Sequence, residues 1–159
     1  MMVLMHCGFW GLLAAIVFTT LLAVSQGIGL TRMNIPYLLG TMFTANGDRA
    51  KIYGLCVHLV LGVVFSWLYM LAFSAWDGAT WWKGLSLGAL QGAFFLTFGV
   101  TLLPGLHPRM ASEHEGPTVV RQLEPPGFLG LNYGVRTPVS IFAAHLVWGL
   151  MLGVTLLHA

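Results

Sequence analysis

Residues 1–30 contain no formally charged side chain, and the same holds for 52–73, 85–103 and 139–157. Nothing else limits the possible folds so severely. About 20 consecutive apolar residues carry a helix across a bilayer. Inside hydrocarbon every backbone N–H and C=O must be paired internally, which leaves helices and closed barrels, and runs of this length exceed a barrel strand. Composition agrees: 57% of residues are hydrophobic and 8% charged, against about a quarter charged in a soluble domain. The expectation is an all-α membrane protein with four transmembrane helices in a single domain over 1–159. Helix one is expected from about residue 9 to about residue 29. A cleaved signal peptide is the rival for that run, but it lacks a basic leading segment, and the first charge, Arg32, follows the apolar stretch.

Four spans put both termini on one face. The first and third connections carry Arg32, Arg49, Lys51, Arg109, Arg121 and Arg136, whereas the opposite face carries only Lys83. The positive-inside bias makes those connections cytoplasmic and both termini external, and Trp10, Trp76, Trp81 and Trp82 fall near the outer boundary as an aromatic belt should. A net charge of +2 without any basic tract offers no nucleic-acid surface. Cys7 and Cys56, the only cysteines, form no disulfide framework or CxxC motif.

The chain also repeats itself. Arg49 and Arg136 are each followed, after eight residues, by His-Leu-Val-x-Gly: His58 to Gly62 and His145 to Gly149. Aligning Gly11 with Gly88 also brings Phe18 onto Phe95, Thr20 onto Thr97 and Arg32-Met33 onto Arg109-Met110. The reading is an internally duplicated helical hairpin, repeat one over about 9–73 and repeat two over about 84–158, with a loop insertion at about 111–123. Two hairpins entering the membrane in the same direction are related by a pseudo-two-fold axis along the membrane normal. Small residues every fourth position, Gly11, Ala15, Thr19, Ala23 and Gly27 on helix one and Gly84, Gly88 and Gly92 on helix three, mark close-packing faces. Gly54, His58 and Gly62 share a face of helix two, as do His145, Gly149 and Gly153 on helix four.

The rise per residue places His58 and His145 roughly 10 Å from the cytoplasmic helix ends, with Gln26 and Thr97 near the same level. Polar groups at that depth must be paired. The plain reading is an interhelical hydrogen-bond clamp. The sharper one is a ligand site: two imidazoles with Gly62 and Gly149 four residues on suit axial ligation of haem b, or hydrogen bonds to a quinone or lipid headgroup. Two histidines leave a Zn or Cu ion short of ligands.

The third connection, residues 104–138, holds six of the seven prolines and three of the five acidic residues. Its aromatic and leucine content predicts an ordered cap lying against the membrane. His107 and His114 within it are weak metal candidates, and their spacing fits no metal motif. Soft ligands near the N-terminus, Met1, Met2, Met5, His6 and Cys7, read more simply as a helix start than as a Cu(I) site. Arg32, Arg49, Arg109 and Arg136 suit anionic lipid headgroups or local carboxylates. No nucleophile motif, P-loop or intramembrane carboxylate pair is present, so no enzyme activity and no acid-based proton relay are expected.

The segments Arg32-Met-x-x-Pro-x-Leu-Leu-Gly40, His58-Leu-Val-x-Gly62 and His107-Pro-Arg-Met-Ala-Ser-Glu113 resemble small bacterial four-helix membrane proteins that carry no assigned function. The resemblance implies a bacterial inner membrane and a duplicated hairpin fold, and no activity. The function expected first is therefore a non-enzymatic scaffold or accessory subunit that docks on other membrane subunits or on its own copies. A bis-His haem or quinone-binding redox protein comes second, and a small-solute carrier third.

Overall fold

The computed structural model describes residues 1–157, so position 158, where repeat two is expected to end, lies outside the described residues. The helices are α1 (Met2–Gly27), α2 (Ile35–Thr41), α3 (Gly47–Ala75), α4 (Trp81–Phe94), α5 (Val100–Leu106) and α6 (Thr137–Thr155). A π-helical turn, Phe95–Gly99, joins α4 to α5 in one rod, and a short 3-10 segment, Phe128–Tyr133, precedes α6. α1, α3, the α4–α5 rod and α6 are each long and apolar enough to cross a membrane. No β-strand occurs among the described residues.

Helix ends follow local chemistry. Asn34 caps α2 by accepting from the Tyr37 N–H at 2.9 Å, and Asn46 caps α3 by accepting from Asp48 and Arg49, with Asp48 suiting the helix dipole. These caps start α3 five residues before the uncharged run begins. Between α3 and α4 the chain reverses through Asp77 and Gly78, both at positive φ. Lys83 folds back into that turn: its ammonium donates to the carbonyls of Trp76, Asp77 and Gly78 and lies 5.6 Å from the Trp76 and Trp82 rings. A lysine read from sequence as an isolated interfacial charge is thus a buried turn clamp.

α1 is central, with α3 on one side and α6 on the other; the α4–α5 rod packs along α6, while α3 and α4 scarcely touch. The α4–α6 contact is backbone against backbone. A Cβ on Gly84 or Gly88 would run into the main chain of Gly149 or His145, and one on Gly149 or Gly153 would run into α4 or its cap. Van der Waals contact at this closeness is what drives helices together in lipid. On α1 only the upper part of the small-residue stripe packs so: Gly11 and Ala15 are buried against α3, but Ala23 and Gly27 are exposed. Gly54 faces neither α1 nor α6. It meets Gly40, so that the short α2, not foreseen from sequence, lies directly on α3.

The third connection forms an ordered cap. Met110 and Leu123 pair as a short bridge, with Ala111 N–H donating to Leu123 O at 2.8 Å and Leu123 N–H to Arg109 O at 3.0 Å. Residues 113–115 and 117–120 loop out beyond this pinch and are exposed. The cap is tied to the first connection by Thr31 and Thr137, whose hydroxyls are 2.7 Å apart, and by Arg32 N–H donating to Tyr133 O.

Candidate functional site

The weak contact between α3 and α4 leaves a cavity of about 240 Å³. Ala15 and Phe18 of α1 and His145 and Trp148 of α6 form its back wall; His58, Leu61, Gly62 and Phe65 line the α3 side, and Gln91, Phe94, Phe95 and Gly99 the facing rod. Ile35 and Leu39 of α2 close it toward the long connections. Toward the termini α3 and α4 are bridged by the Tyr69 hydroxyl, which donates to Gln91 Oε1 at 2.7 Å. Between these two closures the rim residues Phe65 and Phe94 are exposed, on the face that lipid would cover.

The π-helical turn shapes the facing wall. Pro104 has no N–H to give the preceding turn, and the threonine hydroxyls of Thr97 and Thr101 donate to backbone carbonyls one turn back. A π-turn inserts one residue into the helical register. Here it presents both Phe95 and Gly99 to the cavity.

His58 and His145 meet at Phe18. The Phe18 ring lies 5.4 Å from the His58 ring and 4.9 Å, edge-on, from that of His145. His58 Nδ1 is 2.9 Å from Thr19 Oγ1, and His145 Nδ1 is 2.8 Å from Ile141 O. Neither Nε2 has a hydrogen-bond partner among the described residues; the ring-nitrogen contacts of both histidines are made through Nδ1 alone. Beside them Trp148, 4% exposed, has an indole N–H that approaches Tyr69 without reaching hydrogen-bond geometry and is left unpaired.

Other expected members of this layer lie elsewhere. Gln26 sits one residue from the end of α1, where its amide donates to Met33 O and accepts from Asn34 at 3.3 Å. Thr97 bonds within its own helix, to Ala93 O at 2.7 Å. The depth estimate misplaced Gln26 because it measured from charged residues. α3 starts earlier, at Gly47, and α1 ends earlier, at Gly27. Gly62 lines the cavity, whereas Gly149 is engaged by α4. Sequence reasoning did not single out Gln91, Tyr69, Trp148 or Phe18 as site residues. Gln91 had a signal, as the only amide besides Gln26 within the four uncharged runs.

A haem shared by the two imidazoles does not fit these residues. An aromatic ring as close to both as Phe18 lies within the radius of any macrocycle they would share. The cavity is also smaller than the roughly 300–1,000 Å³ of pockets that enclose a whole drug-sized molecule. A headgroup fits, with a tail left in lipid.

His107 is fully buried at the cap. Its Nε2 faces Leu38 O at 3.0 Å and Thr41 Oγ1 at 3.2 Å, and its Nδ1 accepts from the Arg109 N–H at 3.1 Å. Both nitrogens are used within the protein, so the ring is a fastener between α2 and the cap and has no lone pair left for a metal. His114 is exposed, and no group of three metal-ligating side chains occurs among the described residues. Burial pulls the His107 pKa below its usual 6.5; the Leu38 carbonyl opposes this, and the Arg109 and Arg121 charges add to it. Tyr133, buried beside the cap, is pushed up to about 12 by burial and by Glu124, against the opposing charge of Arg32.

The four arginines divide. Arg32 pairs with Glu124 at 3.2 Å, and Arg109 donates to Thr41 O at 2.7 Å and Met42 O at 3.3 Å, closing the end of α2. Arg49 and Arg136 are exposed and form no ion pair among the described residues. Comparison with known protein families, with curated proteins and with solved structures finds no match for this chain.

Proposed function

We propose that this chain is a non-enzymatic binding protein of the membrane interior. Its ligand is a lipid-soluble molecule with a flat ring headgroup of the quinone class, held in the cavity between α3 and α4. One observation carries the reading: two imidazoles whose Nε2 atoms have no hydrogen-bond partner among the described residues line a mostly apolar, aromatic-rich cavity, with Gln91 the other polar side chain in its wall. An unpaired buried polar atom costs about 1–3 kcal/mol; Trp148 Nε1 is such an atom, and together with two histidine Nε2 atoms that have no partner among the described residues it is most simply explained by a ligand that pairs it. Phe18, Phe65, Phe94, Phe95 and Trp148 supply the stacking surface that a planar ring prefers. The expected accessory-subunit role is compatible with this site, but it has no surface of its own, because exposed apolar side chains on every span are what lipid requires. A solute carrier would need a wet path, and this lining is apolar.

The test is extraction. Protein purified from its own membrane in mild detergent is expected to release, into organic solvent, about one ring-headed lipid per chain. A Leu61→Trp variant, which fills the cavity, is expected to release none. Wild-type protein that carries only bulk phospholipid sinks the proposal.

The same reading takes the two hairpins as copies in a bacterial inner membrane, with both termini outside. Supporting duplication, Phe18 neighbours His58 as Phe95 neighbours His145, at 5.4 and 5.8 Å, and Gly11 meets Gly62 as Gly88 meets Gly149. The copies have diverged: Thr19, which holds His58, aligns with Leu96, and the α1–α6 contact has no equivalent between α4 and α3.

A further inference from the structure

The hydrogen-bond network around the two histidines specifies which chemical form of the ligand the cavity takes, and this inference rests on the binding site proposed above. A backbone carbonyl only accepts, so the 2.8 Å contact between His145 Nδ1 and Ile141 O requires the proton on Nδ1. Thr19 allows the same assignment for His58. When its one hydroxyl proton goes to Ala15 O, at 2.7 Å, the oxygen accepts from His58 Nδ1, at 2.9 Å, and Nδ1 carries the hydrogen. The backbone contact sets this tautomer in His145, and the Thr19 contact accommodates the same one in His58. A neutral imidazole with its proton on Nδ1 has a bare lone pair on Nε2. The cavity therefore offers two acceptors, with the unpaired Trp148 N–H and the Gln91 amide as donors.

We infer that the ligand must bring a hydroxyl, and that the site is built for the reduced, quinol form of a ring-headed lipid, or another phenol, in preference to the oxidised quinone. A hydroxyl can donate to an imidazole Nε2 and at the same time accept from the indole N–H. A quinone carbonyl can accept from Trp148 or Gln91 but brings no donor for either imidazole lone pair. No electron or proton needs to move; this is selective binding of one redox form, and the protein would hold the quinol out of exchange with the rest of the membrane pool.

The experiment uses the full chain in lipid nanodiscs, under argon, with duroquinol and duroquinone as probes, and subtracts uptake by empty discs. Duroquinol is expected to bind about tenfold more tightly than duroquinone, the factor that one satisfied buried acceptor supplies. Thr19→Val removes the acceptor that faces His58 Nδ1 and should narrow that ratio, while leaving His145 and the helix contacts in place. In parallel, ¹⁵N spectra of the histidine-labelled protein should show His58 and His145 protonated at Nδ1, with duroquinol shifting their Nε2 signals; His107, whose Nδ1 accepts from Arg109 N–H, is recognised by the loss of its signals in His107→Gln. Equal or tighter binding of duroquinone, or His58 or His145 protonated at Nε2 in the otherwise wild-type protein, overturns the inference and leaves the binding site standing. Uptake of neither probe above that of empty discs overturns the inference and the site together.

Discussion

His107 shows how a residue in a polar connection becomes a structural fastener. One ring satisfies Leu38 O, Thr41 and the Arg109 N–H, so three elements meet on it. Truncation to Ala removes one of the two donors to Leu38 O and leaves the Arg109 N–H without its acceptor, at about 1–3 kcal/mol for the group left unpaired. The expected outcome for His107→Ala is faster amide exchange at Ala111 and Leu123, with the transmembrane amides unchanged. The pH dependence has a definite sign. Because the folded ring has a lowered pKa, the unfolded cap binds more protons wherever the pH is below about 6.5, the unfolded value. The cap's stability is therefore full above that value and falls as pH drops toward the folded pKa. Exchange at Ala111 and Leu123, corrected for intrinsic rate, should rise between pH about 7 and about 5, and should do so much less in His107→Gln. A flat profile in the wild type would count against the fastener.

Among the elements, spacing and packing say different things. Small residues every fourth position predicted close contact along all of helix one, yet Ala23 and Gly27 are exposed, and nothing lies within 4 Å of a Cβ built at Gly27. The same pattern on α4 and α6 is a real backbone contact. A methyl group there has nowhere to go. Gly149→Ala should cost about 1–3 kcal/mol, read as earlier unfolding in a detergent denaturation series, whereas Ala23→Leu should stay within about 0.5 kcal/mol. Equal effects at the two positions would mean that α4 and α6 do not approach as described. The π-helical turn had no such sequence signature. Pro104 was visible, but the carbonyl it frees, that of Val100, lies just beyond the turn and does not locate it.

For the molecule as a whole, the expected sidedness rests on charge alone, since the described contacts are indifferent to which face is cytoplasmic. A cysteine at position 115, in the exposed loop beyond the Met110–Leu123 pinch, tests it. Glu115→Cys should react with a membrane-impermeant maleimide only after the cells are opened. Labelling in intact cells would reverse the topology. The native cysteines are a low background, Cys7 being buried and Cys56 lying within a transmembrane span. The open side of the bundle is also a whole-molecule property. It exists because α1 contacts α6 while α3 and α4 stay apart, held only at the Tyr69–Gln91 bridge.

Four spans, their helical state and the presence of an imidazole on each of two of them were determined by the sequence alone. The physical reason is that hydrocarbon tolerates neither unpaired backbone nor charge, so long uncharged runs have one solution. Which polar groups share a cavity was decided by tertiary structure. His58 and His145 came together with Phe18, Trp148 and Gln91, and Gln26 did not, because helix ends are set by caps and turns rather than by the first charged residue. Nor could the sequence say which nitrogen of each ring is bare: that depends on the partner at Nδ1, a neighbouring helix's Thr19 for one and the ring's own helix for the other.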